Sequence, residues 1–149
     1  MEGLKETDKK IIKELGVNCR RSLRTMSRKL GISVTTLSKR IGQMEKGGII
    51  QGYSAVIDPE KLGYDLTAAI EIVASKGKLI EVEKEIAKNH NVFAVYDMTG
   101  ETDALVLARF RKRSDLNAFV KSLLAMGTIE RTNTHIVLNI MKSDPRIMA

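Results

Sequence analysis

One stretch of the sequence, from Gly31 to Gly48, places polar side chains at helical spacing where they can bind a polyanion. Apolar residues recur there with helical periodicity, which predicts a helix with one buried face. These residues are Val34, Leu37, Ile41 and Met44. The opposite face carries hydroxyls, an amide and two cations: Thr35, Thr36, Ser38, Lys39, Arg40 and Gln43. Such groups bond phosphates and reach base edges in a DNA major groove, and a solvated amphipathic helix is the alternative.

Signals at helix ends place this stretch in a pair of helices joined by a tight turn. Ser33 is a good N-cap for the second helix, and Gly31 suits the left-handed cap that ends the first. That first helix is predicted from Leu23 to Leu30, with Ser22 as its N-cap. Its inward face consists of Leu23, Met26 and Leu30. An earlier helix, from Thr7 to Leu15, completes a small shared core, so a helix-turn-helix unit is predicted.

The charge of the chain is concentrated at this end. Residues 1–52 contain 12 of the 25 Lys and Arg residues but only five of the 18 Asp and Glu residues, so the whole net charge of +7 lies there. Such asymmetry indicates an end that binds a polyanion, joined to an end with another task. A membrane surface fits less well than DNA, because the basic residues lack the aromatic apolar face of an interfacial helix.

Duplex DNA is therefore the expected partner. The polar side chains of the two helices fall into two groups, according to whether they are expected to contact bases or phosphates. Four residues are expected nearest the bases: Thr35, Thr36, Lys39 and Arg40. Four are expected nearer the phosphates: Ser33, Ser38, Arg24 and Arg28. For the two arginines of this second group, a merely solvated face is the alternative.

The remainder of the chain predicts strands and two helices. Residues 49–57 are rich in β-branched side chains and are interpreted as a wing or a connecting strand that ends at Asp58-Pro59. Beyond Gly63, strands are predicted over 66–74, 92–98, 102–110 and 129–141, with helices around 79–87 and 114–124, the second capped by Ser114. The order βαββαβ is that of a ferredoxin-like, ACT-like unit with both helices on one sheet face.

The predicted class is therefore α+β, with two domains joined by a strand linker. A winged helix-turn-helix domain is assigned to 1–50, the linker to 51–63 and the ferredoxin-like domain to 64–149. The uncovered sheet face carries aliphatic residues, which predicts that it pairs with a second copy. Two copies on a two-fold axis can place two recognition helices in major grooves about 34 Å apart and read a near-palindrome.

The ordered set of motifs resembles the Lrp/AsnC family, the feast/famine transcription regulators of prokaryotes. The matching residues are Leu4-Lys-Glu-Thr-Asp8, Ile11-Ile12, Leu23-Arg24, Leu30-Gly31-Ile32-Ser33, Lys39-Arg40-Ile41, Glu45, Gly48-Ile49-Ile50, Asp58-Pro59 and Leu62-Gly63. Two positions depart from the family pattern, since Lys5 replaces a usual capping Asp and Thr25 a common capping acid. The resemblance implies that the third helix reads DNA and that the second domain forms dimers that often assemble to octamers.

The resemblance also implies a site for an amino-acid effector in the second domain. In the family, a Gly-x-x-Asp turn and the start of the last strand line a pocket between dimers. The corresponding residues are Gly100, Glu101, Thr102 and Asp103, followed by Thr132, Asn133 and Thr134. Turn amides can hold a carboxylate and Asp103 an ammonium. From the residues alone, an ordinary hairpin with a strand cap is the alternative.

No catalytic or metal-binding set is evident, so the chain is not expected to be an enzyme or to need a cofactor other than an amino-acid effector. His90 and His135 are isolated from other ligand or triad residues. A haem-precursor decarboxylase of the same fold, or an amino-acid sensor that does not bind DNA, are the alternatives. A single cysteine, Cys19, and the lack of an apolar span or signal sequence suggest a cytoplasmic protein without a membrane partner.

Overall fold

The structure is a computed structural model that describes residues 4–144. The described chain divides into two compact units, the first containing residues 4–56 together with 142–144, and the second comprising Ile57–Met141. The division falls inside the segment 51–63 assigned as a linker. Among the described residues, no helix combines the length and the apolar content that crossing a membrane requires.

The first unit contains three helices around one core. They are α1 (Glu6–Asn18), α2 (Leu23–Leu30) and α3 (Val34–Lys46). The helix α2 has its predicted bounds, whereas α1 is longer than predicted at both ends. The core consists of Ile11, Met26, Leu37, Ile41 and Met44. The helix-turn-helix arrangement is therefore confirmed.

Two residues predicted to face this core are instead exposed. Leu23 is 39% exposed and Val34 is 42% exposed. Each is the first residue of its helix, directly after the N-cap serine. Because helical side chains tilt toward the N-terminus, the side chain of a first residue projects past the helix end and away from the packed stripe.

The strand predicted over residues 49–57 is not formed. Residues 51–58 contain no regular element, and the N–H groups of Ile49 and Ile50 both donate to the Met44 carbonyl at the end of α3, at 2.9 and 3.2 Å. A strand requires a neighbour for its backbone groups, and no described part of this chain provides one. A short 3-10 helix, Glu60–Leu62, follows.

The second unit is a four-stranded antiparallel sheet with two helices. Its elements are β1 (Leu66–Ala74), α4 (Leu79–Ile86), β2 (Val92–Asp97), β3 (Ala104–Phe110), α5 (Arg113–Leu124) and β4 (Ile129–Ile136). The strand order is β2-β3-β1-β4. This order and the βαββαβ connectivity confirm the ferredoxin-like prediction, and β1 has its predicted bounds.

Alternation along the strands divides the sheet into a buried face and an open face. The buried face carries Ala68, Ile70 and Ile72 of β1 and Ala104, Val106, Ala108 and Phe110 of β3. Residues of α4 and α5 cover it, among them Val82, Ile86, Leu116, Phe119 and Leu123. The rings of Phe110 and Phe119 lie 5.5 Å apart. Both helices therefore lie on one face, as predicted.

Several predicted boundaries in this unit were wrong. The strand β2 ends at Asp97 instead of Met98, and β3 begins at Ala104 instead of Thr102. Ser114 lies inside α5 rather than capping it, and the N-cap position is held by Lys112 without a side-chain hydrogen bond. The strand β4 ends at Ile136 instead of Met141. Its partner β1 begins at Leu66, and the last bond between them runs from the Val137 N–H to the Thr67 carbonyl at 2.9 Å. Beyond this point β1 offers no further backbone partner.

Candidate DNA-binding surface and effector pocket

The turn between α2 and α3 depends on Gly31. Its backbone lies at φ 65 and ψ 30, the left-handed region that glycine adopts without a steric penalty. The N–H groups of Gly31 and Ile32 both donate to the Ser27 carbonyl, which closes the end of α2. The predicted left-handed cap is confirmed, and it sets the direction in which α3 leaves the turn.

The two helices of the motif begin with the same capping arrangement. The Ser22 hydroxyl accepts the Thr25 N–H at 3.1 Å, and the Ser33 hydroxyl accepts the Thr36 N–H at 3.0 Å. In each pair the two hydroxyls also bond each other, at 2.9 and 2.8 Å. A mutual bond consumes one hydroxyl hydrogen of the pair, so the other remains to donate to a phosphate.

Part of the outer face of α3 is exposed and has no partner among the described residues. Thr35, Ser38 and Lys39 are exposed, as are Arg24 and Arg28 of α2. Within residues 4–144, the side chains of these five residues make neither an ion pair nor a hydrogen bond. Their charges and donors are therefore available to a ligand of opposite charge.

Arg40 differs from the prediction that it lies near the bases. Its guanidinium Nη1 lies 2.9 Å from Oδ1 of Asp8 on α1, and both side chains are largely buried, at 25% and 14% exposed. The other oxygen of Asp8 accepts the Lys5 N–H at 3.2 Å. Arg40 therefore joins α3 to the start of α1, and we remove it from the base-contacting set.

The other acidic residues of α1 and α3 also have partners within the first unit. Glu14, a buried residue of α1, bonds Lys29 at 2.5 Å and Arg21 at 2.6 Å, and these cations, Lys29 first, lower its pKa. Glu6 pairs with Lys9 at 2.7 Å. The Tyr53 hydroxyl donates to Glu45 at 2.8 Å, and burial together with this carboxylate raises the pKa of Tyr53 to about 12.

The second unit contains a polar depression of about 370 Å³ beside the β2–β3 turn. It brings together four of the residues predicted for an effector: Glu101, Thr102, Thr132 and Asn133. Three further lining residues were missed by sequence reasoning: Glu71, Val73 and Arg131. Glu71 could have been singled out from the sequence, because it is the one charged residue within the predicted strand 66–74.

Three predicted effector residues do not line the depression. Gly100 has the positive φ that was predicted for the turn, at 126°. The Asp103 carboxylate accepts the Ala74 N–H at 2.8 Å, so its Oδ2 anchors the turn to β1. Thr134 pairs with Ile70, on the face of the sheet that the helices cover.

Glu71 is held in position by two neighbours on β4. Its Oε2 accepts the Asn133 side-chain N–H at 3.0 Å and lies 3.4 Å from His135 Nε2. These contacts, the Asn133 bond first, lower the pKa of Glu71. The depression therefore combines a fixed carboxylate, a second acid and a guanidinium, which suits a zwitterion. Among residues 4–144, no group of three or more His, Cys, Asp or Glu residues is arranged to hold a metal ion.

A basic helix-turn-helix unit followed by a ferredoxin-like unit with a polar depression defines a ligand-responsive DNA-binding regulator. Residues 4–51 match the family model described as winged helix-turn-helix DNA-binding, and residues 67–147 match that described as the Lrp/AsnC ligand binding domain. The chain belongs to the Lrp/AsnC family of transcription regulators.

Relatives that match nearly the whole chain are named as HTH-type transcriptional regulators. An uncharacterized HTH-type transcriptional regulator of Pyrococcus abyssi is 44% identical over 97% of this chain and 98% of its own. The regulator FL11 of Pyrococcus horikoshii is 37% identical over 93% of this chain and 92% of its own.

Two solved structures show the same fold. A Neisseria meningitidis transcriptional regulator in complex with L-Met has a TM-score of 0.88 at 28% identity, covering 97% of this chain and 96% of its own. The structure of Escherichia coli AsnC has a TM-score of 0.85 at 25% identity, covering 95% of this chain and 97% of its own.

Proposed function

We propose that this Lrp/AsnC regulator binds near-palindromic duplex DNA as a homodimer, or as a higher oligomer up to an octamer, and that a free amino acid modulates its binding. The observation that carries the DNA-binding part is the separation of charges in the first unit. The described acids of α1 and α3 are bonded internally, whereas the side chains of Arg24, Arg28 and Lys39 have neither an ion pair nor a hydrogen bond within residues 4–144. A surface of this kind attracts phosphates and releases their counterions.

The side chains of this surface receive distinct roles. Lys39 and Thr35 project from the exposed face of α3 and contact base edges, with Thr36 beside them. Arg24, Arg28, Ser38 and the hydroxyl pair of Ser33 contact phosphates. Val34, exposed at the first position of α3, supplies apolar contact to a thymine methyl group, as Ala and Thr do in other proteins.

The β2–β3 half of the open sheet face supports assembly through a second copy, whereas Glu71 and Arg131 of the polar depression lie on the β1–β4 half. The half-buried side chains of Leu105 and Leu107 lie on this face of β3, with Tyr96 of β2 beside them at 52% exposure. Exposed apolar surface of this extent is stabilised by pairing with an identical surface around a two-fold axis. Two α3 helices then enter major grooves about one turn apart.

The polar depression supports the amino-acid part of the proposal. Arg131 offers two donors to an α-carboxylate, and Glu71 offers an acceptor to an α-ammonium. The Neisseria regulator of the same fold was solved in complex with L-Met, so that protein binds an amino acid. Thr102, Thr132 and Asn133 supply neutral polar groups at the depression of this chain.

We infer no catalytic role, in line with relatives that are named as transcriptional regulators. The proposed site of action is DNA in the cytoplasm. No specific observation favours the haem-precursor decarboxylase or the DNA-independent sensor. Neither alternative explains why Arg24, Arg28 and Lys39 are exposed without a partner among the described residues.

Selection of bound sites from random duplexes, with and without individual amino acids, tests the proposal. We expect enrichment of a near-palindrome whose half-sites lie about one helical turn apart, or a multiple of it. An amino acid that acts as an effector changes the yield or the affinity of the selected sites. Recovery of sequences without any shared motif, with binding that no amino acid changes, would contradict the proposal.

A further inference from the structure

The depression in the second unit has an unbalanced set of charges. Glu71 and Glu101 contribute two carboxylates, and Arg131 contributes one guanidinium. Near neutral pH the lining therefore has a net charge of about −1. A simple zwitterion has one charge of each sign, so it neutralises Arg131 and one of the acids but not the other.

The two acids are held differently. Glu71 is fixed by Asn133 and His135 on the neighbouring strand, at 3.0 and 3.4 Å. Glu101 is exposed on the turn between β2 and β3, and no described residue within 4–144 donates to its carboxylate. Glu71 is thus a preformed acceptor, and Glu101 is an acceptor without a donor among these residues.

The lining offers little to an apolar side chain. Among the described residues that form it, Val73 is the one aliphatic residue, and the others have charged, hydroxyl or amide side chains. Because hydrophobic gain is proportional to the apolar area removed from water, a leucine or methionine side chain finds little stabilisation there. The lining therefore disfavours large neutral ligands as well as leaving one acid unpaired.

We propose that this pocket selects amino acids with a cationic side chain, lysine or arginine, over neutral and acidic ones. The inference rests on the proposed effector function and deepens it. Arg131 binds the α-carboxylate, Glu71 accepts from the α-ammonium, and Glu101 accepts from the cation of the side chain. A neutral amino acid leaves Glu101 partly desolvated without a counter-charge, and an acidic one places like charges together, so both are rejected.

Isothermal titration of the full-length protein with L-lysine, L-arginine, L-leucine, L-methionine and L-glutamate tests this selection. We expect L-lysine or L-arginine to bind at least about tenfold more tightly than L-leucine and L-methionine, with L-glutamate weakest. The variant Glu101→Gln keeps the size of the side chain but removes its charge. It is expected to lower the affinity for the cationic ligands about tenfold and to raise that for L-leucine, because no unpaired charge is then left beside the neutral ligand.

A matched control is Glu130→Gln, which removes an exposed acid of β4 that lies beside Arg131 in sequence but does not line the depression. It is expected to keep the preference for cationic ligands. Equal affinity for L-leucine and L-lysine, or an unchanged L-lysine affinity in Glu101→Gln, overturns the selection while the effector site itself stands. If no amino acid in the panel binds, the proposed effector function fails together with the selection.

Discussion

The guanidinium of Arg40 on α3 and the carboxylate of Asp8 on α1 form an ion pair of 2.9 Å across the first unit. The same carboxylate caps the start of α1 through the Lys5 N–H. One acid therefore fixes both the beginning of one helix and the orientation of another. Lys39, the adjacent residue, faces outward without a partner among the described residues. Two neighbouring cations thus have different tasks, one in the fold and one at the surface.

This difference predicts opposite consequences for two alanine variants. Arg40→Ala leaves the largely buried Asp8 without its cation and should lower the free energy of unfolding by about 1–3 kcal/mol. Lys39→Ala should leave that free energy nearly unchanged and weaken binding to a selected duplex by about 1–3 kcal/mol. Chemical denaturation and fluorescence anisotropy measure the two effects. Equal stability of both variants, with equal loss of DNA binding, would contradict the assignment.

The Ser33 cap allows stability to be separated from DNA binding at one position. Ser33→Ala removes the acceptor of the Thr36 N–H and should cost about 1 kcal/mol of stability. Ser33→Asp retains a capping oxygen and should restore most of that loss, but its charge should repel a phosphate and weaken DNA binding. Thermal unfolding and anisotropy read the two properties. If Ser33→Asp binds DNA as tightly as the wild type, no phosphate approaches this cap.

The ion pairs of Glu14 with Lys29 and Arg21 predict how the stability of the protein depends on pH. Lys29, followed by Arg21, holds its pKa below the usual 4.5. Because the folded pKa lies below the unfolded one, ionised Glu14 stabilises the fold above pH 4.5, and this contribution disappears as the pH falls through the lowered value. The Tm difference between the wild type and Glu14→Gln should therefore be largest near neutral pH and vanish in acid. A difference that persists unchanged at about pH 2 would show that the ion pairs do not cause it.

The apolar residues on the open face of the sheet predict which substitutions should prevent the chain from forming dimers. Leu107→Lys places a charge in the middle of this face and should shift the protein toward monomer in light scattering coupled to size exclusion. Ile80→Lys changes an exposed aliphatic residue of α4, on the side of the sheet that the helices cover, and serves as the control. A Leu107→Lys protein with the mass of the wild type would mean that the copies associate through another surface.

Local patterns predicted much of this fold. The bounds of α2 and β1 follow directly from capping residues and from alternation, since both depend on neighbours in the chain. Arg40 could not be placed in this way, because it lies at the border of the apolar stripe and its partner Asp8 is 32 residues away. The segment 49–57 has strand composition, but a strand forms only where another backbone pairs with it.

The same distinction, between features set by neighbours in the chain and features set by distant residues, applies to the two candidate sites. The exposed face of α3 follows from helical periodicity, and so does the pairing of each capping serine with the threonine three residues on. The effector pocket depends on register between strands, which places Glu71 opposite Asn133 across 62 residues. Spacing along the chain carries no information on that register, so Glu71 and Arg131 were missed, and so was the bond by which Asp103 anchors the turn to Ala74 of β1.

The most direct test of the central claim is the salt dependence of binding to a selected duplex. If unpaired cations of the helix-turn-helix unit contact phosphates, the logarithm of the association constant should fall linearly with the logarithm of the salt concentration. Replacing Arg24 or Arg28 with Ala should reduce the slope by about one unit for each phosphate that is no longer neutralised, whereas Lys61→Ala, in the second unit, should not change it. Binding that is insensitive to salt, or a slope unchanged in the Arg24→Ala, Arg28→Ala double variant, would contradict this account.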